Sequence, residues 1–214
     1  MYSECLQLVR EALAASAVAV DGSVDGMACW IAEIDAWNRR IDLTAARDAR
    51  ELVDLMIADA AILAQHISPG ARVVDIGTGA GAPGLALSLL RPDLALTLVE
   101  PLQKRCAFLR ATIGTLKKAG IERRVEVVRG RGEDVAGGAG GVAFARHDVA
   151  ISRATLAPPA WLELGLRLAP EVWVLLAREG APSRDDCELM DEFAYRWPLT
   201  GAERRAARYR HERA

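Results

Sequence analysis

The sequence predicts an α/β fold, a mostly parallel sheet flanked by helices, with a helical segment ahead of it. Three observations carry this expectation. Apolar, strand-like runs alternate with amphipathic stretches of helical period from Arg72 to Ala177, the pattern of right-handed βαβ crossovers. The first run, Val73-Val74-Asp75-Ile76, passes through Gly77-Thr78-Gly79-Ala80-Gly81-Ala82-Pro83-Gly84 into the apolar helix of residues 85–90. Acidic residues and arginines recur where the runs end, and such sheets bind ligands at those ends. The layout is Rossmann-like.

Composition narrows the class. The length suits one α/β domain, and 51% apolar residues allow a sizeable core. A formal net charge of −2 gives no global attraction to nucleic acid, so any such contact has to be local. No apolar run reaches membrane-spanning length, and the N-terminus lacks a basic segment followed by a long apolar one. A cytoplasmic, monomeric chain is expected. Cys5, Cys29, Cys106 and Cys187 lie far apart and read as reduced thiols; no metal site is expected, because His66, His147 and His211 do not cluster with them.

Residues 5–19 carry Leu6, Val9 and Leu13 on one helical stripe, and Asp21-Gly22-Ser23 breaks it. Met27, Trp30, Ile31, Ile34, Trp37 and Ile41 set a second helix, with both tryptophans read as core. A third spans residues 48–66, with Leu52, Met56, Ile57 and Leu63 inward. These helices, residues 1–68, read as a cap on the core of residues 69–214.

The second strand is residues 94–99, closed by Glu100. Leu102, Cys106, Leu109, Ile113 and Leu116 stripe the helix after it, and Lys117-Lys118 suit its C-terminal dipole. Residues 123–129 form the third strand, followed by a turn at 130–134 and a flexible glycine loop at 137–141. Strand four is residues 148–151, then a helix over 156–168, strand five over 172–177, and a helix over 185–195. The arginine-rich residues 203–213 read as an edge strand or a disordered basic end.

The glycine turn identifies a ligand-binding loop but leaves its ligand open. Gly77, Gly79 and Ala82 satisfy the dinucleotide fingerprint loosely, and a turn without ligand has the same glycines. Asp75 would repel a pyrophosphate yet suits an ammonium group, and Glu100 can bind both hydroxyls of a ribose. Acid-x-Gly-x-Gly-x-Gly with a second-strand acid resembles the S-adenosylmethionine-dependent methyltransferases of class I. Glu133, Asp134, Ser152, Arg153 and Arg178 join Asp75 and Glu100 at strand ends.

A more specific resemblance follows from Asn38-x-x-x-Asp42-Leu43-Thr44, Asp75-Ile76-Gly77-Thr78-Gly79-Ala80-Gly81-Ala82-Pro83-Gly84, Lys104-Arg105-x-x-Phe108-Leu109, Arg131-Gly132-Glu133 and Ile151-Ser152-Arg153-Ala154. This set resembles the bacterial 16S ribosomal RNA guanine-N7 methyltransferase family, glucose-inhibited division protein B, over residues 37–180. The resemblance implies S-adenosylmethionine as cofactor and 16S rRNA in the small ribosomal subunit as partner. It implies cofactor contacts at Gly77, Ala82, Gly132, Glu133 and Arg153; the loop reading adds Asp75, Thr78, Gly79, Gly81 and Glu100. Arg153 and Arg178 are the expected catalytic pair, holding the base or a phosphate. Guanine N7 is a lone-pair acceptor with no proton to remove, so no general base is needed. The chain departs from the family where Met56 and Ala60 replace a usual histidine and serine, at Asp42, and at Arg178-Glu179. These departures admit two other readings: methylation of a small molecule, or a non-catalytic RNA-binding or ribosome-binding protein.

Overall fold

The computed structural model describes residues 2–16, 23–137 and 147–211. The expected helix extension over 17–19, the break at Asp21-Gly22, the glycines 138, 140 and 141, and Arg213 lie outside these residues. Among the described residues seven strands form one sheet in the order β3-β2-β1-β4-β5-β7-β6. Strands β1 (Arg72–Ile76), β2 (Ala95–Glu100), β3 (Arg124–Arg129), β4 (Val149–Ser152) and β5 (Glu171–Leu176) are parallel; β7 (Glu203–His211) runs antiparallel to β5 and to β6 (Cys187–Arg196). The order reverses between β1 and β4, the position at which an open α/β sheet leaves a crevice beyond its carboxyl ends.

Alternation along β1 divides the core. Val73 faces a cluster built with α1 (Tyr2–Ala15), α2 (Ser23–Asn38), α3 (Ala49–His66), α4 (Gly84–Leu90) and α5 (Gln103–Lys118). Val74 and Ile76 face the other side, against Val135 of α6 (Gly132–Ala136) and Trp161 and Leu162 of α7 (Pro158–Gly165). Each face of β1 is thus covered, which is why it and the interior strands beside it read as largely apolar runs, whereas the edge strand β3 alternates. Asp48 caps α3 by accepting the Glu51 N–H at 2.8 Å, and Pro158-Pro159 open α7 where no helical N–H partner is needed. Trp30, Met27, Ile31 and Ile34 are fully buried, and Trp37 packs edge-on against Phe108 at 5.6 Å. On α5 it is Phe108, not Leu102, that completes the buried stripe; Leu102 stands 53% exposed at the N-cap.

Three expectations are corrected. Residues 185–195 are not helical: β6 occupies Cys187–Arg196. A register irregularity between Leu189 and Asp191 interrupts the two-residue period there, so Glu, Leu and Met give a helical signal that pairing with β7 overrides. Beyond it, Phe193 and Tyr195 turn inward together. The arginine-rich segment is a strand, but an interior one between β5 and β6, not an edge. Three of its cations are neutralised by neighbours: Arg208 meets Glu171 at 3.0 Å and Asp191 at 3.2 Å, Arg205 meets Glu192 at 3.0 Å, and Arg210 meets Glu171 at 3.8 Å. The expected turn at 130–134 is also tighter than a loop, with α6 starting at Gly132. Among the described residues no helix is long and apolar enough to cross a membrane.

Gly165 fixes the closeness of α7 to β5. A Cβ there would fall 2.6 Å from Val172 Cγ1 and 3.1 Å from Cγ2, on a side chain that is stiff at χ1. Gly165→Ala should therefore lower stability by about 1–3 kcal/mol through overpacking, against the ~1 kcal/mol that alanine adds to a helix. Chemical denaturation measures it; an unchanged or higher midpoint would show that α7 can move off the sheet.

Candidate active site

The loop after β1 is clamped from three sides. Asp75 lies beneath it, fully buried, and its Oδ2 accepts the Thr78 hydroxyl at 2.6 Å and the Gly84 N–H at 2.9 Å. Glu100, at the end of β2 and 2% exposed, accepts the Gly79 N–H at 3.0 Å on Oε2 and the Leu102 N–H at 2.9 Å on Oε1. From α2, the Trp30 indole N–H donates to the Ala80 carbonyl at 2.9 Å. Gly77 and Gly79 both take positive φ, 68° and 60°. A Cβ on Gly79 would meet nothing nearer than 3.9 Å, so this is the bare face of the loop. A Cβ on Gly77 would fall 2.2 Å from Thr155 Oγ1, because the chain after β4 closes onto it.

Asp75 carries a strained charge. Burial pushes its carboxyl up to about 6, against the opposing pull of the Thr78 and Gly84 hydrogen bonds. Its Oδ1 has no hydrogen-bond partner among the described residues. A buried acceptor left open is costly unless a cation or donor meets it.

The second half of the site lies at the ends of β4 and β5. The Ser152 hydroxyl donates to the Ile76 carbonyl at 2.8 Å, and Ala154 takes φ 54°, an uncommon value for a residue with a Cβ. This turn delivers Arg153, whose Nη1 donates to the Leu55 carbonyl and to Asp59 Oδ2, the latter at 3.3 Å. Asp59, 3% exposed on α3, also accepts the Tyr195 hydroxyl at 2.6 Å and the Trp197 indole N–H at 3.3 Å on Oδ1. One turn earlier, Asp54 receives the Leu199 and Thr200 N–H groups and the Thr200 hydroxyl. Two buried carboxylates of α3 thereby seat the β6–β7 hairpin beside Arg153. Burial, and then Asp59, raise the Tyr195 phenol above its ordinary range. The result is a cavity of about 500 Å³ walled by Leu156, Pro158, Trp161, Val174, Leu176 and Trp197, with Arg153 and Tyr195 among its polar groups.

The expected site residues separate into groups. Asp75, Gly77, Thr78, Gly79, Gly81, Ala82 and Glu100 form the loop and its supports, though Thr78 spends its hydroxyl on Asp75 and Gly81 packs against Leu85 and Leu109. Gly132 is a packing position: a Cβ would meet Ile76 Cγ2 at 2.7 Å. Glu133 is exposed at the start of α6. Arg153 lines the cavity but Arg178 does not; it faces an adjoining groove with Arg196, Arg204 and Arg205. Asn38 and the Asp42-Leu43-Thr44 stretch are architectural. Asn38 Oδ1 accepts the Leu43 and Thr44 N–H groups at 2.8 and 3.1 Å, and Arg105 donates twice to the Asp42 carbonyl.

A family model described as GidB, rRNA small subunit methyltransferase G, matches residues 24–194. The chain belongs to this family. Relatives named ribosomal RNA small subunit methyltransferase G include that of Symbiobacterium thermophilum, 39% identical over 81% of this chain and 68% of that protein. The one from Salinispora tropica is 40% identical over 67% of this chain and 58% of that protein. The one from Anaeromyxobacter dehalogenans is 30% identical over 94% and 96%. The match therefore spans little more than half of some relatives and nearly all of others. Among solved structures, M. jannaschii TYW2 in complex with AdoMet aligns with a TM-score of 0.53 at 13% identity, over 81% of this chain and 80% of that one. P. horikoshii TYW2 in complex with MeSAdo gives 0.54 at 14%, over 80% and 65%. At such identities the likeness is one of fold. Against the GidB pattern, Met56 and Ala60 depart within the core, 2% and 0% exposed, and only Leu55 and Asp59 of that stretch line the cavity.

Sequence reading missed Asp59, Trp30, Tyr195 and Trp197. For Asp59 a signal existed: a carboxylate on the inward stripe of α3. Trp30 was correctly placed in the core, but the destination of its N–H depends on a loop 50 residues away.

Trp30→Phe keeps the ring and deletes the bond to Ala80. Amide exchange across residues 78–82 should accelerate about tenfold, the equivalent of one hydrogen bond, or ~1.4 kcal/mol. Trp173→Phe, which removes a buried indole bond to Glu171, is the matched control and should leave these amides unchanged. Equal protection in both variants would make Trp30 simple core.

Asp75 also sets a pH dependence. A carboxyl whose pKa is raised on folding binds its proton more tightly in the native state, so its contribution to stability falls as pH rises through about 6. Relative to Asp75→Asn, the wild type should lose on the order of 2 kcal/mol between about pH 4.5 and 7.5. Parallel urea titrations give the difference; a constant gap across this range would mean that Asp75 titrates normally.

Proposed function

We propose that this chain transfers a methyl group from S-adenosylmethionine to N7 of a guanine in small-subunit ribosomal RNA. Family membership supplies the reaction class, and the composition of the cavity supports the acceptor. The acidic and phenolic side chains lining it are already committed. Asp59 accepts from three side-chain donors, Glu179 accepts the N–H groups of Ala177 and Arg178, and the Tyr195 phenol is held protonated. The carboxylates and the phenol are thus poor candidates for a general base, which suits an acceptor that needs none.

The loop fits the cofactor. Asp75 Oδ1 is an unpartnered buried acceptor, the Gly79 face is bare, and each Glu100 oxygen accepts one N–H and has a lone pair left for a ribose hydroxyl. S-adenosylmethionine supplies an electrophilic methyl group that is already activated. The chain's own residues then contribute alignment. Arg153, fixed by Asp59 and the Leu55 carbonyl, directs its remaining donors to the base, where O6 of guanine is an acceptor. Trp161, Trp197 and the aliphatic wall enclose a flat heterocycle and exclude water. The helices α1–α3 act as a cap on this core, with Trp30 their contact to the loop. Because the residues at 56 and 60 lie outside the cavity, those departures leave its chemistry unaltered.

The test is incubation of the chain with methyl-labelled cofactor and small subunits from cells lacking the gene. Label should appear as N7-methylguanine in the RNA, and Arg153→Ala should cut turnover on the order of 10²-fold. Label entering a small-molecule extract while the subunits stay unlabelled would reject the ribosomal acceptor.

A further inference from the structure

We infer that the groove beside the cavity binds phosphodiester groups of the RNA, with Arg178 and Arg204 as the cations that meet them; this rests on the acceptor being RNA, as proposed above. The groove, about 780 Å³, lies just past the end of β5, at Ala177 and Arg178, and where the β6–β7 hairpin approaches its turn. Strand register puts its arginines there: Tyr195 pairs with Arg204, Ala194 with Arg205, and Leu176 with Arg205 from the other side.

Charge accounting distinguishes these arginines. Arg196 is paired with Glu203, and Arg205 with Glu192 at 3.0 Å. Arg178 and Arg204 have no carboxylate within 4.0 Å among the described residues; the carboxylate of the neighbouring Glu179 is turned to main-chain N–H groups and lines the cavity rather than the groove. Arg204 stacks on Trp197, its guanidinium carbon 4.0 Å from the ring centroid, and donates one bond to the Glu203 carbonyl. A stacked guanidinium keeps its remaining edge donors available in the plane that suits a phosphate. Arginines that merely tie strands together in this sheet look different, as Arg208 does between Glu171 and Asp191.

The groove also adjoins the base cavity. Ala177, Tyr195 and Arg204 line both. One compartment is apolar and aromatic, the next is cationic, and they share a wall. That is the division of a nucleotide into heterocycle and phosphate. Arg178 accordingly acts on the backbone, and not on the reacting base as its place at a strand end suggested.

Phosphate contacts are counted by salt. Binding of the full chain to small subunits from cells lacking the gene is measured across a salt series for wild type, Arg178→Gln, Arg204→Gln and Arg184→Gln. Arg184 pairs with Asp186 and Glu163 near the opposite end of β6 and serves as control. Each groove variant should lower the slope of log affinity against log salt by about 0.7–0.9 and weaken binding several-fold, while affinity for S-adenosylmethionine and the Arg184→Gln slope stay unchanged. Among the described residues Arg178 makes no side-chain bond, so Arg178→Gln decides the matter if Arg204→Gln perturbs Trp197. Wild-type slopes in the groove variants would overturn the inference and leave the RNA acceptor standing. Absence of binding by the wild type would remove the acceptor, and the inference with it.

Discussion

A carboxylate buried under a glycine loop holds the centre of this molecule in place. Asp75 sits at the end of β1, where the strand order reverses, and ties Thr78 and Gly84 down from beneath. The loop can then pass over it only with a bare, left-handed backbone at Gly79, which leaves the main chain accessible on its outer side. The cost is a charge without water, visible in the raised pKa and the open Oδ1. A local arrangement that is unfavourable for folding alone is characteristic of a place where a ligand completes the balance.

Asp59 plays the corresponding part in the other half. It gathers Arg153, Tyr195 and Trp197 from β4 and the hairpin onto α3, an element that precedes the sheet in the chain. Such a carboxylate is tolerable because charge-assisted donors surround it. The N-terminal helices therefore reach both halves of the site: α2 through Trp30 at the loop, α3 through Asp54 and Asp59 at the hairpin. Stability and site geometry rest on the same few buried polar contacts.

Much of this was legible in the residues. Strands β1, β2, β4 and β5 announce themselves as apolar runs because both faces of a parallel sheet are covered there, β3 by its valines, α4 as an apolar run after the glycines, and α1, α2, α3 and α5 by their stripes. The loop was legible because glycines with an acid before them and an acid after the next strand have few other uses. Family membership was legible for the same reason, since short motifs record backbone requirements. The last two strands were less so. A bulge near Met190 erases the period in β6, and the arginines of β7 fit an edge strand or a disordered basic end equally until Glu171, Asp191 and Glu192 stand beside Arg205 and Arg208.

The sequence by itself determined the parallel core, the glycine loop and the residues at strand ends, because these depend on neighbours within a few positions. Only the tertiary structure decided how those ends are shared out. Arg153 entered the cavity because Asp59, 94 residues earlier, accepts it. Arg178, in an equivalent place by sequence, went to the groove, where the hairpin supplies other arginines. Which partner a side chain meets across such separations is set by strand order and register, and these are properties of the packed sheet, not of any local stretch.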